Sequence, residues 1–332
     1  MPKSFITGGS GFLGKALAKA LVARGHSVIV TSRKDLPDLE SFGVKVLKVD
    51  LNSDMSGLKS YLSDVDAVFH TAAKVSMWGK FEDFYRTNVE ATRTLLKLAQ
   101  GAEVERFIYT SSPSVIANGT DLCNADESIP YPDTYESFYP QTKAEAEREV
   151  LATNSQHGIK TIALRPHLIF GPGDTNLIPT IISKAQAGRL IRVGDGQNRT
   201  DLTFIGDCVD AHIAAYESLG TNPRAAGRPY FISQGEPVVM WEWIDSVLSS
   251  FQLGPVKRSI PLSVARMLAH GAEWWARRMA PEKEPFLTSF LVTEMATSHY
   301  FNIEAARTEL GYVPRRTIQQ AMHETFVSAG VE

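Results

Sequence analysis

Short apolar, β-branched runs alternate with stretches of helical periodicity through the first half of the chain. Lys3–Thr7, Ser27–Ser32, Val44–Val49, Ala67–Thr71, Arg106–Ser111 and Lys160–Arg165 read as strands. Between them Gly14–Arg24, Asn88–Gln100 and Gln141–Asn154 read as helices. Strands alternating with helices of this length predict an α/β fold, a doubly wound parallel sheet. After about Gly171 the rhythm changes. The helical segments Ile178–Ala187, Asp207–Leu219 and Trp241–Phe251 then alternate with short separated strands, and Pro and Gly become frequent. The pattern predicts a first domain over residues 1–170. A smaller C-terminal α/β substrate lobe follows over 171–332, with some of its strands and helices returning to the first domain.

Composition narrows the function classes. The 332 residues are 43% hydrophobic with a net charge of −3, enough for a sizeable core and without the basic footprint of nucleic-acid binding. The two cysteines, Cys123 and Cys208, form no C-x-x-C pattern. Met1 runs almost directly into a strand, with no signal-peptide succession and no spanning apolar run. These features predict a cytoplasmic protein.

The chemistry begins at Thr7-Gly-Gly-Ser-Gly-Phe-Leu-Gly14, between the first strand and the first helix. Gly8, Gly9, Gly11 and Gly14 permit a tight turn and a close backbone approach to a pyrophosphate at the helix N-terminus. A glycine string alone is weak; strand before and helix after make this a Rossmann-type dinucleotide site. The second strand ends Thr31-Ser-Arg-Lys34, with no carboxylate before Asp35. Ser32, Arg33 and Lys34 suit a 2′-phosphate, which favours NADP, NADPH in its reduced form, over NAD. The alternative is that Arg33 and Lys34 are ordinary solvated charges.

Tyr139-Pro-Gln-Thr-Lys143 sets a phenol and an amine four residues apart, on one face if the segment is helical. Hydride transfer to a ketone requires a proton at the developing alkoxide, and a nearby ammonium would lower the tyrosine pKa towards neutrality. The spacing alone is weak, since on the order of one chance match is expected in such a chain. Ser111 and Ser112, at the end of an upstream strand, add hydroxyls to the same region.

Together these residues resemble the extended short-chain dehydrogenase/reductase superfamily over nearly the whole chain. The matching motifs are Thr7–Gly14, Asp50-Leu51, His70-Thr-Ala-Ala73, Thr87-Asn-Val89, Thr110-Ser-Ser112, Tyr139 with Lys143, Arg165-Pro166, Gly171-Pro-Gly-Asp174, and Asp201 with Asp207. The resemblance implies that Tyr139 is the acid/base, that Lys143 tunes it and binds the nicotinamide ribose, and that Ser112 orients the carbonyl. It places Gly8, Ser10, Gly11, Phe12, Leu13 and Gly14 at the pyrophosphate and Asp50 and Leu51 at adenine. Thr71, Ala72, Ala73, Asn88 and Ser111 then lie along the cofactor, and Pro166, His167 and Leu168 near the carboxamide. Thr110–Val115 and Phe301–Arg307 with Leu310–Tyr312 resemble the 3β-hydroxysteroid dehydrogenase-like branch. The stretches His70–Asn88, Asp126–Lys143 and Arg165–Asp174 resemble bacterial 2-alkyl-3-oxoalkanoate reductases of olefin biosynthesis.

The implied substrate is a ketone or secondary alcohol of a large apolar molecule, with a 2-alkyl-3-oxoalkanoate first and a sterol second. A nucleotide-sugar epimerase is a further alternative. Epimerases carry an arginine where this chain has Thr200, and Arg199, one residue earlier, should face the other way. A non-catalytic NADP-binding regulator also remains, because fold does not dictate function. Bulky residues such as Trp78, Phe81, Phe84, Trp241, Trp243 and Phe290 suit an apolar ligand or an ordinary core. Pro261–Ala280, with its Trp and Arg residues, could lie in a membrane interface as a peripheral contact, form a lid, or simply pack. The eight histidines show no ligand spacing, so no metal is expected. The family analogy suggests a homodimer.

Overall fold

The computed structural model describes residues 1–330. Seven strands make one parallel sheet: β1 (Lys3–Thr7), β2 (Ser27–Ser32), β3 (Lys45–Lys48), β4 (Ala67–His70), β5 (Arg106–Thr110), β6 (Lys160–Pro166) and β7 (Pro229–Ile232). Their order in space is β7-β6-β5-β4-β1-β2-β3. Chain order reverses between β1 and β4, the switch point at which doubly wound sheets open a crevice at the strand C-termini.

Strand residues alternate between two cores. Phe5, Ile29, Val68 and Phe107 face one apolar cluster, and Ile6, Val28, Val30, Phe69 and Ile108 face the other. This period of two buries both faces, as a sheet covered on each side requires. Helix α1 (Phe12–Ala23) turns Leu13, Leu17, Ala18 and Leu21 onto the second cluster. Leu95 and Leu96 of α2 (Ala91–Gly101) and Val150 of α3 (Phe138–Ala152) close the first.

Six expected strands are present, two with the same bounds. The sequence reading lacks β7, which is short, opens on Pro229 and forms a sheet edge, where a missing N–H is tolerated. Residues of the second half therefore complete the central sheet. Helix α4 (Ile205–Thr221) also returns, packing on α1 with Arg24 and Asp210 paired at 2.9 Å. The helix expected from Asn88 instead begins at Phe81 and passes through a π turn, Arg86–Glu90, before α2. A second sheet joins Val238–Val239, Arg199–Thr200, His299–Phe301 and Leu122–Ala125. No helix among the described residues is long and apolar enough to cross a membrane.

Candidate active site

The glycine turn is shaped by backbone contact. Gly8 has φ +75°, and a Cβ there would lie 3.0 Å from the Ala72 backbone. A Cβ on Gly14 would lie 2.3 Å from the Gly8 carbonyl oxygen, closer than any side chain allows. The Gly11 N–H donates to that same carbonyl at 2.8 Å. His70 pins the turn from beneath. It is fully buried, with Nδ1 2.6 Å from Thr7 Oγ1 and Nε2 2.8 Å from Thr92 Oγ1. The Thr92 hydroxyl donates to the Asn88 carbonyl, so Nε2 carries the proton and Nδ1 accepts from Thr7. Burial lowers the ring's pKa to about 3, which keeps it neutral.

Above the turn lies an open cleft of about 580 Å³ along the ends of β1–β4. Among the residues singled out from sequence, Gly8, Ser10, Gly11, Ser32 and Arg33 line it. So do Asp50, Leu51, Thr71, Ala72 and Ala73. Thr31, Val49, Asn52, Lys74, Asp83, Arg86 and Thr87 complete the wall. Of these, Thr87 belongs to a motif noted in the sequence, while Asp83 and Arg86 come from the helix and π turn after β4, whose place on the cleft wall no local period assigns. Ser32 Oγ accepts the Lys34 N–H at 3.0 Å, which leaves the hydroxyl proton free to donate. Asp35 is drawn off to Lys48 at 2.9 Å. Arg33 has no hydrogen-bond or ion-pair partner among the described residues and faces the cleft.

Other expected residues lie off this wall. Phe12 and Leu13 open α1, with Leu13 in the core, and Lys34 is exposed. Asn88 is buried between elements. Its Oδ1 accepts from Lys74 N at 2.8 Å, and its Nδ2 donates to the Lys74 carbonyl and to Thr142 Oγ1 at 3.0 Å. That ties the loop after β4 to α3. Ser111 extends β5, its N–H donating to Leu164 O at 2.6 Å, and its buried hydroxyl has no partner. Pro166 ends β6, and His167 and Leu168 follow it, with Leu168 at φ +40°.

Beyond the cleft, α3 presents Tyr139 and Lys143. Ser137 caps the helix, and Pro140 falls within its first turn, where N–H groups have no helical acceptor. Lys143 is 2% exposed, and its Nζ donates to the Thr110 carbonyl at 2.6 Å and sits 4.1 Å from the Tyr109 ring centroid. Burial lowers the amine to about 7, against the opposing charge of Glu147. For Tyr139, burial raises the phenol pKa, a Ser112 hydrogen bond opposes the rise, and the Glu294 carboxylate adds to it. The expected lowering by the lysine is therefore not met. Lys143 is not among the groups that act on the phenol, so burial prevails. Ser112 also lies 2.9 Å from Ser114 Oγ.

Two features were not visible in sequence. Glu147 pairs with Arg165 across α3 and β6, with side chains 0% and 2% exposed and Nη2···Oε1 at 2.6 Å. Tyr131 donates to the same carboxylate oxygen at 2.6 Å. In addition, His167, Glu294 and His299 offer ligand atoms within 4.8 Å of one another. Two imidazoles and a carboxylate are ligand types of transition-metal sites, whereas spacing in the sequence predicts no metal set. His167 reaches the other two only through the fold. Thr200 Oγ1 lies 3.2 Å from His167 Nε2. Thr200 is buried while Arg199 is exposed and donates to the Pro237 carbonyl, so the one-residue offset does turn the guanidinium outward.

Comparisons with known proteins agree with this layout. Residues 5–263 match the 3-beta hydroxysteroid dehydrogenase/isomerase family. The chain is 37% identical over 330 residues to a 2-alkyl-3-oxoalkanoate reductase of Stenotrophomonas maltophilia, covering 98% of this chain and 99% of that one. It is 34% identical to the human decarboxylating sterol-4-alpha-carboxylate 3-dehydrogenase, covering 97% and 87%. Among solved structures, gox2253 superposes with a TM-score of 0.77 at 26% identity, over 99% of both chains. MoeE5 in complex with UDP-glucuronic acid and NAD shares the fold, with a TM-score of 0.76 at 23% identity over 99% of both.

Proposed function

The chain belongs to the 3-beta hydroxysteroid dehydrogenase/isomerase family and is an NAD(P)-dependent oxidoreductase of the extended short-chain dehydrogenase/reductase type; on that premise we propose that it uses NADPH to reduce the ketone of a 2-alkyl-3-oxoalkanoate. The observation that carries the reading is the Tyr139 phenol, acted on by the neighbouring Ser112 hydroxyl, on a helix that the buried Glu147–Arg165 pair holds to the sheet. Full-length similarity to reductases of that substrate supports the substrate class. Thr200, in place of an inward arginine, argues against a nucleotide sugar.

The cofactor fits the residues present. The Gly8–Gly14 turn has no room for side chains where the backbone crosses and would take the pyrophosphate on its N–H groups. Ser32 has a hydroxyl proton to give, and Arg33 a guanidinium free of carboxylates; these would hold the 2′-phosphate. When bound, NADPH supplies the hydride for the carbonyl carbon. Tyr139 supplies the proton to the oxygen that becomes an alkoxide, and its raised pKa keeps that proton in place at neutral pH. Ser112 shares the same oxygen as a hydrogen-bond donor. Lys143, titrating at about 7, can take up or return a proton in the working range.

The test pairs turnover with binding. NADPH fluorescence should fall when a 2-alkyl-3-oxoalkanoate is added, and faster than NADH fluorescence does. Tyr139→Phe should abolish turnover and keep NADPH binding; full turnover in that variant would overturn the mechanism. Arg33→Ala should weaken NADPH binding by about tenfold or more and leave NADH binding unchanged. Equal affinity of the native chain for the two would refute the NADPH preference. A second reading, oxidation of a sterol carboxylate, is favoured by the similarity to the human sterol dehydrogenase. It predicts turnover of that sterol with NAD in the same assay.

A further inference from the structure

Helix α5 (Leu262–Met279) is apolar on the wrong side for a core helix. Its buried face is a ladder of small residues, Ala265, Ala269 and Ala276. Val264, Met267, Leu268, Trp274, Trp275 and Met279 are 36–69% exposed. At about 100° per residue these six fall within an arc of roughly 140°. A helix that packs on a core does the reverse, turning its largest apolar side chains inward. Phe286, just past the helix, is 71% exposed. A contiguous outward patch of this kind marks an interaction surface.

The charges around the patch are one-sided. Residues 257–286 hold six Lys or Arg against three Glu, in a chain whose net charge is −3. Two of those carboxylates are already engaged. Glu273 accepts from the Ser289 N–H at 2.7 Å, and Glu282 pairs with Lys80 at 2.8 Å. Glu284 has no partner among the described residues. Arg266, Arg277 and Arg278 have no carboxylate partner among them either. Arg278 lies inside the apolar arc with its guanidinium 5.2 Å from the Trp274 ring centroid, and Arg277 lies 5.7 Å from that of Trp78.

We propose that this face docks the protein on an anionic phospholipid bilayer. The tryptophans and methionines enter the headgroup boundary, and the unpaired arginines meet lipid phosphates. A second copy of the chain is a poorer occupant, because two such faces would bring unpaired guanidinium groups together. The docked helix is joined to the candidate active site on two sides. Trp78 Nε1 donates to the Pro281 carbonyl at 2.9 Å, tying α5's end to the loop after β4. Glu273 holds the start of helix Ser289–Ala296, which carries Glu294, whose charge acts on Tyr139. A long-chain substrate would then leave the bilayer next to the site. That last step rests on the proposed apolar substrate; the docking does not.

Flotation of the full chain with vesicles of phosphatidylcholine, with and without phosphatidylglycerol, tests the proposal. Binding is expected to the anionic vesicles, with a blue shift in tryptophan emission and release by salt. Met267→Glu with Met279→Glu, both on exposed positions, should weaken binding about tenfold or more while turnover of a short-chain, water-soluble 3-oxoalkanoate stays unchanged. Failure of the native chain to float with anionic vesicles would overturn the proposal. So would equal binding by the variant. A native dimer in sedimentation that the same variant splits would assign the face to a second copy and overturn it as well. Vesicle binding without turnover of any 3-oxoalkanoate would leave the docking intact and refute the proposed function.

Discussion

Around Tyr139, Ser112 and Glu294 act in opposite senses on one proton. The Ser112 hydrogen bond favours phenolate, while the Glu294 carboxylate, with burial, favours phenol. Replacing Glu294 with Gln removes a negative charge, so the Tyr139 pKa should fall. In the reducing direction the phenol must be protonated, and the alkaline limb of the kcat/KM profile should move to lower pH by up to about one unit. A pH–rate profile of the variant checks this, and an unmoved limb would remove Glu294 from the site. Legibility at this scale is uneven. Tyr139 and Lys143 were visible because helical spacing puts them on one face, and Ser112 because it follows a strand. Glu294 sits on a short helix near the C-terminus, and nothing local distinguishes it from a surface carboxylate.

Helix α3 works as a lever clamped to the sheet. Its clamp is the buried pair Glu147–Arg165, supplemented by the Tyr131 hydroxyl and by Arg165 lying 5.1 Å from the Phe231 ring centroid. Glu147→Gln leaves a buried guanidinium without its counter-charge and should destabilise the chain by about 3–5 kcal/mol. Urea unfolding measures the loss. Turnover per folded molecule should also fall, because the helix carries Tyr139 and Lys143. Replacing both partners, Glu147→Met with Arg165→Met, should restore much of the stability, since an apolar pair leaves no charge uncompensated. Asn88 performs a similar service at the other end. It joins the loop after β4 to Thr142 through a π turn whose extra residue disturbs the period a sequence reading relies on.

Across the whole molecule, buried histidines set the acid limit. His70 and His167 are lowered to about 3 and His212 to about 4, all chiefly by burial. Each ring stays neutral in the folded chain and gains a proton on unfolding below about 6.5. Stability is therefore lost as pH falls through that value towards the folded pKa values. Asp201, raised to about 6 by burial, acts in the opposite sense between 3.8 and 6. Three groups outweigh one, and the stability should drop by on the order of a few kcal/mol between pH ~6.5 and ~4.5. Thermal melts across that range would show it, and a flat melting temperature would contradict it.

The sequence by itself determined the parallel sheet, the glycine turn and the helical spacing of Tyr139 and Lys143. Those depend on local sterics and on periods of two and 3.6, which neighbouring residues carry among themselves. Gly8 and Gly14 were legible because the residue type is dictated by a turn a few residues long. Only the tertiary structure decided that Pro229–Ile232 completes the sheet and that Arg33 faces the cleft unpaired. It also decided that His167 and His299 meet Glu294 and that α5 turns its bulk outward. Each of these depends on which distant segment supplies burial, charge or a hydrogen-bond partner. Lys143 shows the division within one residue. Its spacing from Tyr139 is written in the chain, but its pKa of about 7 comes from the elements that bury it.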